Sequence, residues 1–305
     1  MGEKSKLIGE YGEKSVENFL KLIGWGETPR NIEFACIKEV HEKRTHGIDF
    51  YYAYLSPLTD GILKRISISV KFSDKAYPNS PNSKFKEYFD DLAQAIDCFK
   101  YSSELKELNT IRGYTTVENI GLLFWLSNEE NETGDILSKL ENIQLNSDYS
   151  FDSLYVVDNK RIDFIFSSIQ YTRNRFKNSD ISFFYPDTGK NLNPATKRNN
   201  GKVLPIEYIN STIIPLRIED VQTKKTTLVL ITNDNFELND LKRLIGLSKE
   251  LSKSWPSEIV ICFPDYNELR HSKDVRNAKT TFEDETFTQN IIVENFNTNF
   301  KSLQQ

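Results

Sequence analysis

The chain is expected to be an α/β protein of two units, and three observations lead there. Segments with helical apolar spacing alternate with short runs that are period-two or continuously apolar. A stretch rich in Asn, Lys, Pro and Gly, with few apolar residues beyond Phe183-Phe184-Tyr185, breaks that alternation from Asn178 to Pro205. Past it the alternation resumes, and 305 residues are enough for two cores.

Residues 7–24 read as the first helix, because Val16, Phe19, Leu20 and Ile23 share one face and Gly24 supplies a stop. Three strands are expected at 31–40, 48–54 and 66–72. The first pair is joined by Glu42-Lys43-Arg44-Thr45, the second through Ser56-Pro57 and Asp60-Gly61. A helix at 85–101 puts Leu92, Ala93, Ile96 and Phe99 together. A buried strand at 117–126, a short helix at 136–143, a strand at 155–157 and a helix lined by Ile162, Ile165, Phe166 and Ile169 follow. After the interruption come strands at 212–218 and 227–232, a helix at 238–253, a strand at 258–263, a helical stretch at 272–280 and a strand at 290–294. The expected boundaries are a first domain at 1–178, a basic linker or excursion at 179–210 and a second α/β domain at 211–305.

Composition excludes several classes. With 38% apolar and 27% charged residues the chain is neither disordered nor membrane-spanning, and its longest apolar run, near Ile120–Leu126, is far too short for a bilayer. No secretory pattern follows Met1, so a cytoplasmic protein is expected. Cys36, Cys98 and Cys262 are scattered and odd in number, and read as buried small hydrophobes. They and His41, His46 and His271 do not make a zinc site by spacing, and both His41 and His46 read as turn or packing residues. Any metal is then a hard cation on carboxylates. No glycine-rich nucleotide loop is present. Net charge is −5, yet Tyr171–Lys202 holds seven basic residues, among them Arg173, Arg175 and Lys177, against Asp180 and Asp187. Such a patch is suited to tracking a phosphate backbone.

One ordered set of residues carries chemistry. In Ile66-Ser67-Ile68-Ser69-Val70-Lys71-Phe72, strand alternation puts Ser67, Ser69 and Lys71 opposite the apolar residues, and Asp49 stands opposite Ile48 and Phe50 on the preceding strand. Pairing those strands brings Asp49 and Lys71 to one cleft. On the first helix Glu13 lies about 70° from the centre of the apolar stripe at ~100° per residue, nearer the sheet than Glu10 or Glu17. Two carboxylates and an ammonium suit phosphodiester hydrolysis, in which carboxylate-held Mg²⁺ activates water and offsets charge on the phosphate.

Gly9-Glu10-Tyr11-Gly12-Glu13 with Gly24-Trp25, then Asp49, then Ser69-Val70-Lys71, resembles the PD-(D/E)XK nucleases, in particular the resolvase-like branch. The resemblance covers roughly residues 1–125. It implies a restriction-endonuclease-like core, a mixed central sheet flanked by helices, with the second α/β domain appended for partner or DNA engagement. It further implies Glu13, Asp49 and the Val70 main-chain carbonyl as metal ligands, Lys71 as the residue that positions the attacking water, and Gln94 near the scissile phosphate. Mg²⁺, with Mn²⁺ as a substitute, is the implied cofactor. DNA is the implied substrate, with RNA as the other possibility. The overall look is similar to nuclease subunits of bacterial antiphage systems, which implies a homodimer and a second protein subunit. Two positions depart from the family pattern. Ile48 stands where a proline is common, and Ser69 stands where the family has its third acid. Either Glu13 and Asp49 suffice, or another acid such as Glu33 reaches in, or the chain is a nuclease scaffold that binds DNA or assembles a complex without cutting.

Overall fold

A computed structural model describes residues 2–129, 135–140, 143–145, 148–191, 193–253 and 255–297. The chain forms two compact units, Met1–Asp163 and Phe164–Gln305. The first comprises α1 (Gly2–Leu22), β1 (Arg30–Ala35), β2 (Thr45–Leu55), β3 (Ile62–Ser73), α2 (Asn82–Phe99), α3 (Ser103–Leu108), β4 (Thr116–Ser127), β5 (Ser153–Val157) and the start of α4 (Asn159–Arg175). Its sheet runs β1-β2-β3-β4-β5. The two hairpin pairs are antiparallel, and β3, β4 and β5 are parallel.

Helices α1 and α2 cover opposite faces of the sheet, as period-two alternation on β4 reveals. Leu123 and Trp125 pack with Phe85, Phe89 and Leu92 of α2, whereas Phe124, between them, meets Phe19 of α1 edge-on at 5.9 Å. Helix α1 forms because its apolar stripe buries Val16, Phe19, Leu20 and Ile23 almost completely, each side chain worth roughly 1.5–3 kcal/mol. Its end is a Schellman turn. The N–H of Trp25 donates to Leu20 and that of Gly24 to Lys21, and Gly24 takes the left-handed φ of 81° such a turn requires. Gly12 lies close against β3, since a Cβ there would stand 2.6 Å from Phe72 Cγ. Gly9, by contrast, faces open space.

The second unit continues α4 into β6 (Ser179–Phe184), β7 (Asn200–Gly201), β8 (Ile213–Asp220), β9 (Thr226–Thr232), α5 (Leu238–Ser252), β10 (Glu258–Phe263), α6 (Glu268–Thr280), α7 (Glu285–Thr288) and β11 (Ile291–Asn295). Sheet order is β11-β10-β9-β8-β6-β7, with β9, β10 and β11 parallel and the rest antiparallel. Its core packs Leu241, Leu244 and Ile245 of α5 against Leu228, Leu230, Ile259 and Ile261.

Several expectations are corrected. Residues 179–210, expected as a basic linker or excursion, contain β6 and β7. Phe183, Phe184 and Tyr185, with Leu204, Ile206, Tyr208 and Ile209, are buried as two apolar clusters at the ends of a polar stretch. The first unit accordingly ends at Asp163, not near 178. Strand β1 stops at Ala35, because the chain turns through a 3-10 helix at Glu39–His41 and a left-handed Glu42 before Cys36 N–H closes the loop on Arg44. The expected helix at 136–143 is a single 3-10 turn, Leu137–Lys139, and residues 141 and 142 lie outside the described residues. Phe166, expected on the buried face of α4, is exposed.

Candidate active site

A fork in the first sheet makes the site. Strands β2 and β3 pair only as far as Phe50 and Ile68. Beyond that point β2 stays with β1, through Ile48, Gly47 and His46, while β3 stays with β4 as far as Ser73. Between the diverging strands opens a cleft of about 590 Å³ whose lining includes Glu33, Lys43, Asp49, Ser69, Lys71 and Asp91.

Main-chain phase decides what β3 offers to this gap. A strand residue directs its N–H and C=O to one side, and the side alternates along the chain. Ile62 accepts from Ser56 after β2, whereas Gly61 and Ser73 accept from the β4 side. Val70 is in phase with Ile62, so both its main-chain groups face the gap where β2 would have paired. The Asp49 carboxylate occupies that gap and accepts from the Val70 N–H at 2.6 Å. Burial pushes the Asp49 carboxyl up, although the Val70 N–H, the Lys71 ammonium and the Ser69 hydroxyl each pull the other way.

Lys71 points to the face of the sheet covered by α2. Its Nζ lies 3.0 Å from Asp91 and 5.4 Å from the centre of the Tyr88 ring. Asp91 accepts from Lys43 as well, at 2.8 Å. Burial would raise the Asp91 carboxyl, but the hydrogen bonds from the two lysines outweigh it and hold the group below its ordinary range. Asp91 and Lys43 were not singled out in the sequence. The lone signal for Asp91 was its place among polar residues on the expected helix.

Glu13 does not line the cleft. Its carboxylate stands 3.6 Å from Arg30, and its pKa is raised, first by burial and then by the nearby Asp49 charge. The structure therefore brings Asp49, Val70 and Lys71 together, keeps Glu13 within electrostatic reach of Asp49, and adds Glu33 and Asp91. Ser69, buried and bonded to Asp49, occupies the cleft without a charge. Gln94, also on α2, is not among the lining residues, and its side-chain amide donates to Tyr149. Arg173, Arg175 and Lys177 belong to the second unit. Arg173 and Lys177 are exposed, whereas Arg175 is ion-paired with Glu294 at 3.2 Å.

The donor set fits a hard divalent cation. The oxygens on offer are those of the Asp49 and Glu33 carboxylates, the Val70 carbonyl and the Ser69 hydroxyl, whereas both Asp91 oxygens are engaged by Lys43 and Lys71 and the His46 Nε2 is turned to His41. Three carboxylates and two ammoniums leave the lining one charge negative, a poor host for a phosphodiester until a divalent cation reverses the sign.

Comparison with curated proteins and with solved structures gives no match. Residues 1–161 match the family model described as GAPS4 protein PD-(D/E)XK nuclease domain, which takes in β1 to β5, the fork and every residue lining the cleft. With the mixed sheet, its two flanking helices and Asp49 beside Lys71 at the fork, that match identifies the chain as a member of the GAPS4 PD-(D/E)XK nuclease family, a nuclease of antiphage defence.

Proposed function

We propose that the chain hydrolyses phosphodiester bonds of foreign DNA, with Mg²⁺ or Mn²⁺ held at the fork by Asp49 and the Val70 carbonyl, and by Glu13 once its carboxylate turns from Arg30 toward Asp49. The observation that carries this reading is the Asp49 carboxylate anchored on the Val70 N–H beside the Lys71 ammonium. Anchoring fixes the carboxylate in the gap, where it can present an oxygen to a ligand in place of the Ser69 hydroxyl. A divalent cation there would supply Lewis acidity toward phosphate and a lowered pKa for bound water. Lys71, steadied by Asp91, orients the attacking water and opposes negative charge growing on the phosphate. Arg173 and Lys177 track the backbone of the substrate, and Gln94 would approach it only by leaving Tyr149. The chain acts as a homodimer with a second protein subunit, to which the second unit is fitted.

A second reading is motivated by Ser69, where the family's third acid is missing: the fold binds DNA or assembles a complex without cutting. One assay separates the two. Purified chain is incubated with linear and circular DNA, and with RNA in parallel, in Mg²⁺, Mn²⁺ or EDTA, alone and with the product of the neighbouring reading frame. Metal-dependent loss of DNA supports hydrolysis. Retention of DNA at low salt with no cleavage under any condition supports the second reading, and loss of RNA alone would reassign the substrate.

A further inference from the structure

Four metal-binding side chains converge behind the cleft. Cys36 follows β1, His41 ends the 3-10 turn, His46 lies on β2 and Cys98 is in the last turn of α2. One ligand atom from each lies within 4.8 Å of all the others. The separations are 3.8 Å between the sulfurs, 3.6 Å from Cys36 Sγ and 3.4 Å from Cys98 Sγ to His41 Nδ1, and 3.3 Å from His41 Nδ1 to His46 Nε2. A tetrahedral zinc with Zn–S of about 2.3 Å and Zn–N of about 2.0 Å demands edges of about 3.8 Å for S···S, 3.5 Å for S···N and 3.3 Å for N···N. These four edges match their classes, and the two from His46 to the sulfurs lie within 4.8 Å.

Hydrogen bonding accounts for only part of this packing, since the Cys36 thiol reaches the Lys38 carbonyl at 3.3 Å but the crowding at His41 is left over. His41 Nδ1 has either one proton or one lone pair, yet three polar atoms surround it at hydrogen-bonding range. A cation at the centre satisfies all four donors at once. Two thiolates would also cancel its charge, so the buried group is neutral. The donors are soft and borderline, unlike the oxygens of the cleft, which selects zinc over magnesium. The other nitrogen of His41 lies 3.9 Å from Asp97, a carboxylate in turn paired with Lys38 and Lys100.

We propose that Cys36, His41, His46 and Cys98 bind one structural zinc ion, which ties the loop between β1 and β2 to the end of α2. The placement answers a need of the fold. At the fork β2 has given up its pairing with β3, and the loop before it lacks strand partners of its own. His46 belongs both to the cleft wall and to the zinc cluster, so the ion fixes the strand that carries Asp49 against the helix that carries Asp91. This site does not depend on whether the cleft cuts DNA.

The test uses the full chain, purified without added metal, with zinc measured by elemental mass spectrometry. About one zinc per chain is expected, retained in Asp49→Ala and lost in the Cys36→Ser/Cys98→Ser double variant. In case that variant does not fold, the unmutated chain, stripped by chelator, is titrated with Co²⁺. Intense visible bands of tetrahedral cobalt and a thiolate charge-transfer band in the near ultraviolet are expected at one equivalent. Zinc persisting in the double variant, a Cys36–Cys98 disulfide in freshly purified protein, or an unmutated chain with neither zinc nor a thiolate–cobalt band would each overturn the proposal.

Discussion

Asp49 is held in a state that opposes stability. Its carboxyl is raised by burial, and that of Glu13 by burial and by Asp49. A group whose pKa is higher folded than unfolded stabilises fully below the unfolded value and loses that contribution as pH rises through the folded one. At neutral pH both residues therefore cost stability in the metal-free chain. Asp49→Asn is expected to raise the metal-free Tm by roughly 1–4 °C while removing the gain that Mg²⁺ or Mn²⁺ gives the unmutated chain, read by thermal melts with and without cation. Metal affinity should rise with pH through the titration of Asp49, because protons compete for the same oxygens. Lys71→Met is expected to slow hydrolysis by at least about 100-fold with DNA retention little changed, a loss in rate and not in binding. Strand alternation made Asp49 and Lys71 legible in the sequence. Asp91 and Lys43 were not, because their meeting depends on how α2 crosses the sheet, which no local pattern records.

Elements place these residues by close approach and by termination. Helix α1 lies against β3 at Gly12, beside Glu13, so Gly12→Val should force the helix outward at a cost of about 1–3 kcal/mol and weaken metal binding. Gly9→Ala is the control. Nothing meets its Cβ, and it should stabilise by about 0.5–1 kcal/mol, read by chemical denaturation. The helix end followed from Gly24 as a stop, and the buried faces of α1 and α2 from apolar spacing. The fork did not, since both strands keep their alternation through it and only the pairing partner changes. The Cys36, His41 and His46 ligands sit five residues apart from the end of β1 to the start of β2, a readable spacing, but the fourth comes from a distant helix. Without that fourth ligand the pattern has no zinc signature.

Across the whole molecule, charge is spent locally before it can act at a distance. The basic stretch that stands out in the sequence is partly neutralised by its own unit. Lys197 pairs with Asp187, Lys202 with Asp180, and Arg175 with a Glu294 that also accepts from Tyr171. Arg173→Ala/Lys177→Ala should lower DNA affinity and reduce the salt slope by about 2, as two phosphate contacts are lost, measured by retention across a salt series. Arg175→Ala should instead lower the Tm of the second unit, by leaving a half-buried Glu294 with one partner fewer. The strands within 179–210 are hard to read from the sequence because the apolar residues gather at two ends, around Phe183, Phe184 and Tyr185 and around Leu204, Ile206, Tyr208 and Ile209, instead of repeating.

Cleavage of linear DNA by Asp49→Asn, compared with the unmutated chain in Mg²⁺ and in EDTA with the neighbouring gene product present, bears most directly on the cleft. The unmutated chain should degrade DNA only with the cation, and Asp49→Asn, folded and at least as heat-stable, should not degrade it at all. Equal rates for the two proteins in Mg²⁺ would contradict the assignment of the site.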